Sequence, residues 1–317
     1  MEEKIRIGVS FCLLGSKVRY DGGHQHDHFI TDTLGKYLDF VSVCPEVECG
    51  LPVPRETMRL VGDPENPGLV TFKSNIDYTE RMLSWAAQRV RELEQEGLHG
   101  FIFKSKSPSC GMERVKVYPD GGKSMIRTGI GMFARAFMEH FPLLPVEDDS
   151  RLHDIQLREN FIERIFVYKR WRNLLKTGKS LRGLVDFHVA HKLLIMAHSQ
   201  GHYRILGRIV AHAGQGAMTN VFAGYEKTLM EALKRKSTAR RNADVLFHML
   251  GFFKKQLSAF EKEEMVEIIE QYRKELIPLI VPVTLFRHYI RKFGISYLEG
   301  QFYTNPYPLE LKLRNHA

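Results

Sequence analysis

Long hydrophobic runs are missing from this chain of 317 residues. The longest nearly uncharged apolar stretch, Leu276 to Phe286, is too short to span a bilayer and carries two prolines. The opening Met1-Glu2-Glu3-Lys4 has acids where an export leader would have bases followed by an apolar run. Both absences point to a cytoplasmic chain with no membrane partner. Cysteine is scarce, with four residues, Cys12, Cys44, Cys49 and Cys110, which excludes a disulfide-dense scaffold. In a reducing compartment those four point to metal or catalysis rather than to bridges. Internal repeats, low-complexity segments and named nucleic-acid motifs are absent as well. With 44% hydrophobic and 26% charged residues, disordered and collagen-like chains are excluded.

What is present is unevenly shared. Residues 1–150 hold 18 Lys/Arg against 22 Asp/Glu, a net of −4, whereas residues 151–317 hold 28 against 15, a net of +13. All four cysteines fall in the first part and nine of the fourteen histidines in the second. Halves this different predict two domains with different jobs. The seam is expected in Pro142 to Ser150, around Glu147-Asp148-Asp149. That gives an α/β domain over residues 1–145 and an all-α domain over residues 152–317.

The first part alternates strand and helix patterns. Ile5, Ile7 and Val9 mark a strand that ends at Ser10-Phe11-Cys12-Leu13-Leu14-Gly15. Leu38 to Val43 is a second, ending at Cys44-Pro45-Glu46, with a short helix from Thr31 to Leu38, capped by Thr31, between them. Met82, Trp85, Ala86, Val90 and Leu93 place a helix over Tyr78 to Gln95, stopped by Gly97. Gly100 to Phe103 and Val115 to Tyr118 are further strands, the latter followed by the turn Pro119-Asp120-Gly121-Gly122, and Gly131 to His140 is a closing helix. This alternation predicts a mostly parallel, Rossmann-like sheet.

The cysteines acquire meaning on that scaffold. Cys12, Cys44 and Cys110 each follow a strand, and in open parallel sheets the ligand crevice lies beyond the carboxyl ends of the strands. Three converging thiolates are a soft-ligand site, suited to zinc or an iron–sulfur cluster. Any one of them taken alone reads as a small buried hydrophobe. Cys49, five residues after Cys44, is either a plain core residue or a neighbour of the site.

Four segments carry a resemblance. They are Ser10-Phe11-Cys12-Leu13-Leu14-Gly15, Val18-Arg19-Tyr20-Asp21-Gly22-Gly23-His24, Cys44-Pro45-Glu46-Val47-Glu48-Cys49-Gly50-Leu51-Pro52-Val53-Pro54-Arg55 and Lys104-Ser105-Lys106-Ser107-Pro108-Ser109-Cys110-Gly111. In matching order, they resemble a bacterial family of small cysteine proteins that includes the thiouracil desulfidases of TudS type. The second part, with His188-Val189-Ala190-His191-Lys192 and Met196-Ala197-His198-Ser199, resembles a YbgA-like helical family often fused behind that domain. The resemblance implies a [4Fe-4S] cluster held by Cys12, Cys44 and Cys110 with one iron open, and catalytic roles for Glu46 and Ser107. It implies a substrate that is a small thiolated nucleobase or nucleotide, converted to its oxo form with release of sulfide. Cys49 stands where many relatives have Gly or an apolar residue, which raises the question of a fourth thiolate near the cluster.

The implied chemistry is coherent. A thiocarbonyl sulfur is soft and matches an open iron, water must attack the carbon, and no net electron transfer is needed. Glu46, two residues past Cys44, can act as general base, and Ser107 can hold the substrate or pass a proton. The bland alternatives are a surface carboxylate for Glu46 and a turn-capping hydroxyl for Ser107. His24, His26 and His28 read equally as a pocket mouth or a solvated loop, and Arg55 and Lys106 as substrate-binding or solvent-facing cations.

Helical patterns fill the second part. They include a stripe from Leu157 to Leu175, a helix capped by Ser180, and the segments Tyr203 to Val210, Asn220 to Lys236 and Ala243 to Leu257. Ser258-Ala259-Phe260-Glu261 is a capping box, and a helix with Pro282 in its first turn stops at Gly294. The tail from Ile295 is expected to wrap the surface or the other domain. His188/His191 and His198/His202 have spacings that allow each pair one helix face, as a metal site or as plain packing. Lys234-Arg235-Lys236, Arg240-Arg241 and the cations around Trp171 suit a phosphate backbone or form a solvated face. The runner-up function is therefore a non-catalytic metal- or cluster-bearing module whose basic helices grip RNA.

Overall fold

The computed structural model describes residues 4–119 and 124–315, so Asp120 to Gly122 of the expected turn lie outside the described residues. The chain divides into two units, Met1–Asp154 and Ile155–Ala317. The first is α/β and the second all-helical.

Strand β1 (Ile5–Ser10) is the spine of the first unit. It pairs in parallel with β2 (Leu38–Val43) on one side and β5 (Phe101–Phe103) on the other. The short helix α1 (Pro45–Glu48) follows β2, and the helix α2 (Thr79–Gln95) precedes β5. A hairpin, β3 (Met58–Asp63) and β4 (Asn66–Thr71), separates α1 from α2. After β5 come β6 (Val115–Tyr118), β7 (Ile126–Gly129), α3 (Met132–His140) and β8 (Val146–Asp148). The strands form two sheets, β2-β1-β5-β8, which is wholly parallel, and β4-β3-β6-β7, which is mixed.

Burial explains the pairing. Ile7 and Val9 are fully buried, and Gly8 is required because a Cβ there would lie 2.2 Å from the Phe101 ring. Phe101, Phe103, Phe133 and Phe137 make an aromatic core, with Phe101 and Phe103 stacked at 4.3 Å. Met82, Ala86, Val90 and Leu93 of α2 are buried, as the helical spacing predicts.

Three expectations change. The segment before β2 is not a helix capped by Thr31. It is one wide turn, Phe29–Thr33, and one tight turn, Leu34–Lys36, and the capping acceptor is Asp27, whose Oδ1 takes the N–H groups of Phe29 and Ile30. The β3–β4 hairpin and β7 were not anticipated. The acidic run expected as a seam lies in and beside β8, with Glu147 and Asp148 buried; Arg151 satisfies Glu147, and the Ser150 hydroxyl and Arg151 N–H satisfy Asp148.

The second unit contains α4 (Ile155–Lys176), α5 (Leu181–His198), α6 (Gln200–Ala211), α7 (Met218–Leu233), α8 (Ala239–Leu250), α9 (Ala259–Arg273), α10 (Ile280–Phe293) and the short α11 (Ser296–Glu299). Ser180 caps α5, the capping box at Ser258 and Glu261 opens α9, and Gly294 at φ +61° closes α10. Trp171 is fully buried and stacks on Tyr225 at 5.2 Å. The tail packs into its own unit: the hydroxyl of Tyr303 donates to Asn242 and that of Tyr307 to Glu159, while Arg314 pairs with Glu159 and Glu163.

The histidine pairs resolve as packing groups. His188 meets the Tyr225 hydroxyl at 3.0 Å, His191 lies between the Phe187 carbonyl and Arg170, and His198 lies between Glu163 and the Arg235 carbonyl. His198 and His202 share no helix face, because Ser199 ends α5 and caps α6. Arg241 is structural too, donating to the carbonyls of Ala197 and Lys236. No described helix is long and apolar enough to cross a membrane.

Candidate active site

The carboxyl ends of β1, β2 and β5 each deliver one cysteine. Cys12 sits in a tight turn, Phe11–Leu14, closed by Gly15 at φ +88°, whose N–H donates to the Cys12 carbonyl. Cys44 is the residue before α1, and its N–H donates to Glu48 Oε1 at 2.8 Å, with Pro45 opening the helix. Cys110 ends the loop that follows β5. That loop is anchored by the start of α3: Met132 N–H donates to the Pro108 carbonyl, and the N–H groups of Phe133 and Ala134 to that of Ser109. The helix thereby satisfies its first donors with loop carbonyls. The approach is close enough that a Cβ at Gly131 would lie 2.6 Å from the Ser109 backbone.

One cavity of about 360 Å³ is lined by Cys12, Cys44, Cys110, Glu46 and Ser107 together. The thiols sense one another. Burial, then Cys44, pushes the Cys12 thiol up to about 11, while Lys104 and Arg19 pull the other way. Burial also raises Cys44, and Cys110 is pushed well up by burial and then by Cys44, Glu46 and Cys12. At neutral pH the three are thiols, so loading a metal group means displacing their protons. Cys49 lies elsewhere, in a core cluster with Leu51, Leu60, Met82 and Val117, and its Sγ meets the Glu46 carbonyl at 3.3 Å.

Glu46 is fixed at both oxygens. Oε2 pairs with the Arg55 guanidinium, whose Nε lies 2.8 Å away, and Oε1 accepts the Ser109 hydroxyl at 2.7 Å. Arg55 therefore does not face solvent; its side chain is 6% exposed and also donates to the Val18 carbonyl. Ser107 Oγ accepts the N–H groups of Ser109 and Cys110 and lies 3.0 Å from Ser109 Oγ. Because the single Ser109 hydroxyl proton goes to Glu46, Ser107 is the donor in that contact. The result is a continuous line, Ser107 to Ser109 to Glu46 to Arg55. Ser109 was missed by sequence reasoning: it sits in the same motif, but no spacing marks a buried serine as a bridge. Lys104 and Lys106 both line the cavity, and Lys104 is held by Asp149 at 2.7 Å.

The fold and this cavity define the first unit as an α/β domain with a three-cysteine pocket at its sheet edge. Residues 7–149 match the 2-thiouracil desulfurase family, and residues 192–308 match a family described as a protein of unknown function (DUF1722). The matches thus liken the first unit to the 2-thiouracil desulfurase family and the second to the DUF1722 family. The uncharacterized protein YbgA of Escherichia coli (strain K12) is 29% identical over 153 residues, 48% of this chain and 90% of the relative. A solved structure of a [4Fe-4S]-dependent thiouracil desulfidase, TudS, is 29% identical, covers 48% of this chain and 95% of its own, and superposes with a TM-score of 0.38.

Proposed function

We propose that the chain is a non-redox desulfidase that removes sulfur from a small thiolated pyrimidine and releases it as sulfide, using a [4Fe-4S] cluster held by Cys12, Cys44 and Cys110. The observation that carries this reading is the sharing of one cavity by three cysteines from three strand ends with Glu46. The donor set fits the group. Among the described residues, the one His/Cys/Asp/Glu trio closing to within 4.8 Å is His26, His28 and Asp32, so the three cysteine sulfurs do not all approach that closely. One tetrahedral zinc with ~2.3 Å bonds needs sulfurs about 3.8 Å apart, whereas thiolates on three different irons stand about 6–7 Å apart.

When bound, a cluster held by Cys12, Cys44 and Cys110 would supply a soft Lewis acid for the thiocarbonyl sulfur. The chain's residues do the rest. Arg55 and Ser109 hold the Glu46 carboxylate at the cavity wall, where it takes the proton of the attacking water. The line from Glu46 through Ser109 to Ser107 returns that proton toward the departing sulfide, which resets Glu46 as the base. Water contributes the oxygen and sulfide leaves with the C–S electron pair, so no electron donor is required. The cavity volume suits a single base. The test is anaerobic cluster reconstitution followed by sulfide-release assays on thiouracil, thiouridine and thiolated tRNA. Cluster loading without sulfide from any of them overturns the catalytic reading and favours the non-catalytic module.

A further inference from the structure

A second group of ligating side chains stands outside that cavity, in the segment whose histidines read in the sequence equally as a pocket mouth or a solvated loop. His26, His28 and Asp32 each offer an atom within 4.8 Å of the others, and all three are at least partly exposed. We propose that His26, His28 and Asp32 bind one divalent transition-metal ion of borderline softness, of the class of Zn²⁺, Co²⁺ or Ni²⁺.

Hydrogen bonds preset the ligands. The Thr31 hydroxyl has one proton and two acceptors, Asp32 Oδ1 at 2.7 Å and the Asp27 carbonyl at 3.3 Å, so in its 2.9 Å contact with His26 it accepts from Nε2–H. That fixes the His26 tautomer and leaves Nδ1 with its lone pair, the arrangement in which a second hydrogen bond orients a metal-bound imidazole. His28 Nδ1–H donates to Asp32 Oδ2 at 2.9 Å; a metal ion would replace that proton, and the spacing is already close to the ~3.0–3.4 Å edge between two ligands on an ion with bonds of about 2.1 Å. The His26 and His28 rings are 4.3 Å apart. A cavity of about 290 Å³ beside the two imidazoles, also lined by Asp149 and His153, leaves room for water on the ion. His24 is not part of the set, because its Nδ1 accepts the His26 backbone N–H.

The ion has a structural consequence for the cysteine pocket. Gln25 N–H donates to the Cys12 carbonyl and Asp27 N–H to that of Leu13, and Gln25 itself lines the cysteine cavity. A metal joining His26, His28 and Asp32 therefore clamps the strip of chain hydrogen-bonded along the Cys12 turn.

Cobalt titration of the full-length chain tests this, because the two sites differ in colour. Cobalt on cysteines gives intense thiolate charge-transfer bands, whereas a nitrogen and oxygen set gives only weak visible bands. The expected result is one weak-band equivalent with Kd about 10 µM or tighter. That equivalent is lost in His28→Ala/Asp32→Asn, weakened about 10–100-fold in Thr31→Val and unchanged in His24→Ala. Copper electron paramagnetic resonance gives an independent count: nitrogen splitting from two imidazoles, reduced to one in His26→Ala. Hydrogen exchange of residues 24–32 should slow on metal addition. Binding weaker than about 1 mM, or equal loss in His24→Ala, shows an undirected histidine patch and overturns the proposal. These readouts do not depend on the cluster, so failure here leaves the desulfidase reading standing, and failure of that reading leaves this site standing.

Discussion

At the scale of single residues, the cavity separates groups that the sequence presents alike. Cys44 and Cys49 lie five residues apart, at the two ends of α1, yet Cys44 lines the pocket with Cys12 while Cys49 is packed among Leu51, Leu60 and Met82. Cys12→Ala should abolish cluster loading and turnover. Cys49→Ala should keep most of both while costing about 1 kcal/mol of stability, the order expected for removing a small buried side chain. Iron content and thermal unfolding of the two variants check this, and equal iron loss in both would make Cys49 a ligand. Glu46→Gln keeps the shape that Arg55 and Ser109 contact but removes the base. It should load cluster normally and lower turnover by about 10²–10⁴-fold, read by steady-state sulfide release.

At the scale of elements, two junctions do most to hold the molecule's chemistry and stability. The first is the seating of α3 on the Ser107–Gly111 loop. A Cβ at Gly131 collides with backbone atoms of Ser109, and backbone cannot swing aside as a flexible side chain can. Gly131→Ala should therefore cost about 1–3 kcal/mol and loosen Cys110 and Ser109 together, seen as lower Tm and faster loss of cluster iron. The second junction lies where α5 packs against α4 and α7. Burial, then Lys192, lowers His188 to about 4, and burial, then Arg170, lowers His191 well below its usual value. A histidine held neutral in the fold gives stability that is complete above about pH 6.5 and is lost as pH falls toward 4, because the unfolded chain then binds the extra proton. Burial alone would raise Glu163, but His198, Arg314 and Arg170 outweigh it and lower it, which extends the loss below the carboxylate range. The helical unit should thus lose up to about 2–3 kcal/mol from His188 between pH 7 and 4. Thermal unfolding against pH reads this, and His188→Gln should flatten the slope.

At the scale of the whole molecule, the asymmetry of −4 against +13 asks whether the substrate arrives as a free base or on RNA. Arg241 is no test residue for that question, since its guanidinium is tied to the carbonyls of Ala197 and Lys236. Arg287 and Arg291, which line an open groove along α10 with His288 and Lys292, are the better pair to reverse. Turnover of free thiouracil should change little between 50 and 200 mM salt, because a neutral base in a cavity releases no counterions. An RNA substrate gripped through the basic unit would instead lose about 10–1,000-fold over that range, and Arg287→Glu/Arg291→Glu would reproduce part of the loss at low salt. Initial rates on both substrates across a salt series decide between them.

The sequence by itself determined the elements whose cause is local. Alternation in Ile5, Ile7 and Val9, helical spacing in Met82 to Leu93, the Ser258–Glu261 capping box and the Gly294 stop act over a few residues, and each is present where the pattern places it. Cysteines just beyond three strands also told which sheet edge to inspect, because strand direction fixes where chain ends emerge. Contacts distant in sequence were decided only by tertiary structure. Ser109 meets Glu46 across 63 positions, and Arg55 turns inward because Glu46 and the Val18 carbonyl await it. The β3–β4 hairpin lacks a strong alternating signal, and β6 pairs beside it from more than fifty positions further along the chain. Ser199 breaks a histidine pattern that spacing alone would continue, and the acids of β8 are buried because Arg151 and Ser150 meet them. Periodicity records which side of an element is apolar, whereas a buried charge or hydroxyl is stable only beside its partner, and partners are brought together by the fold.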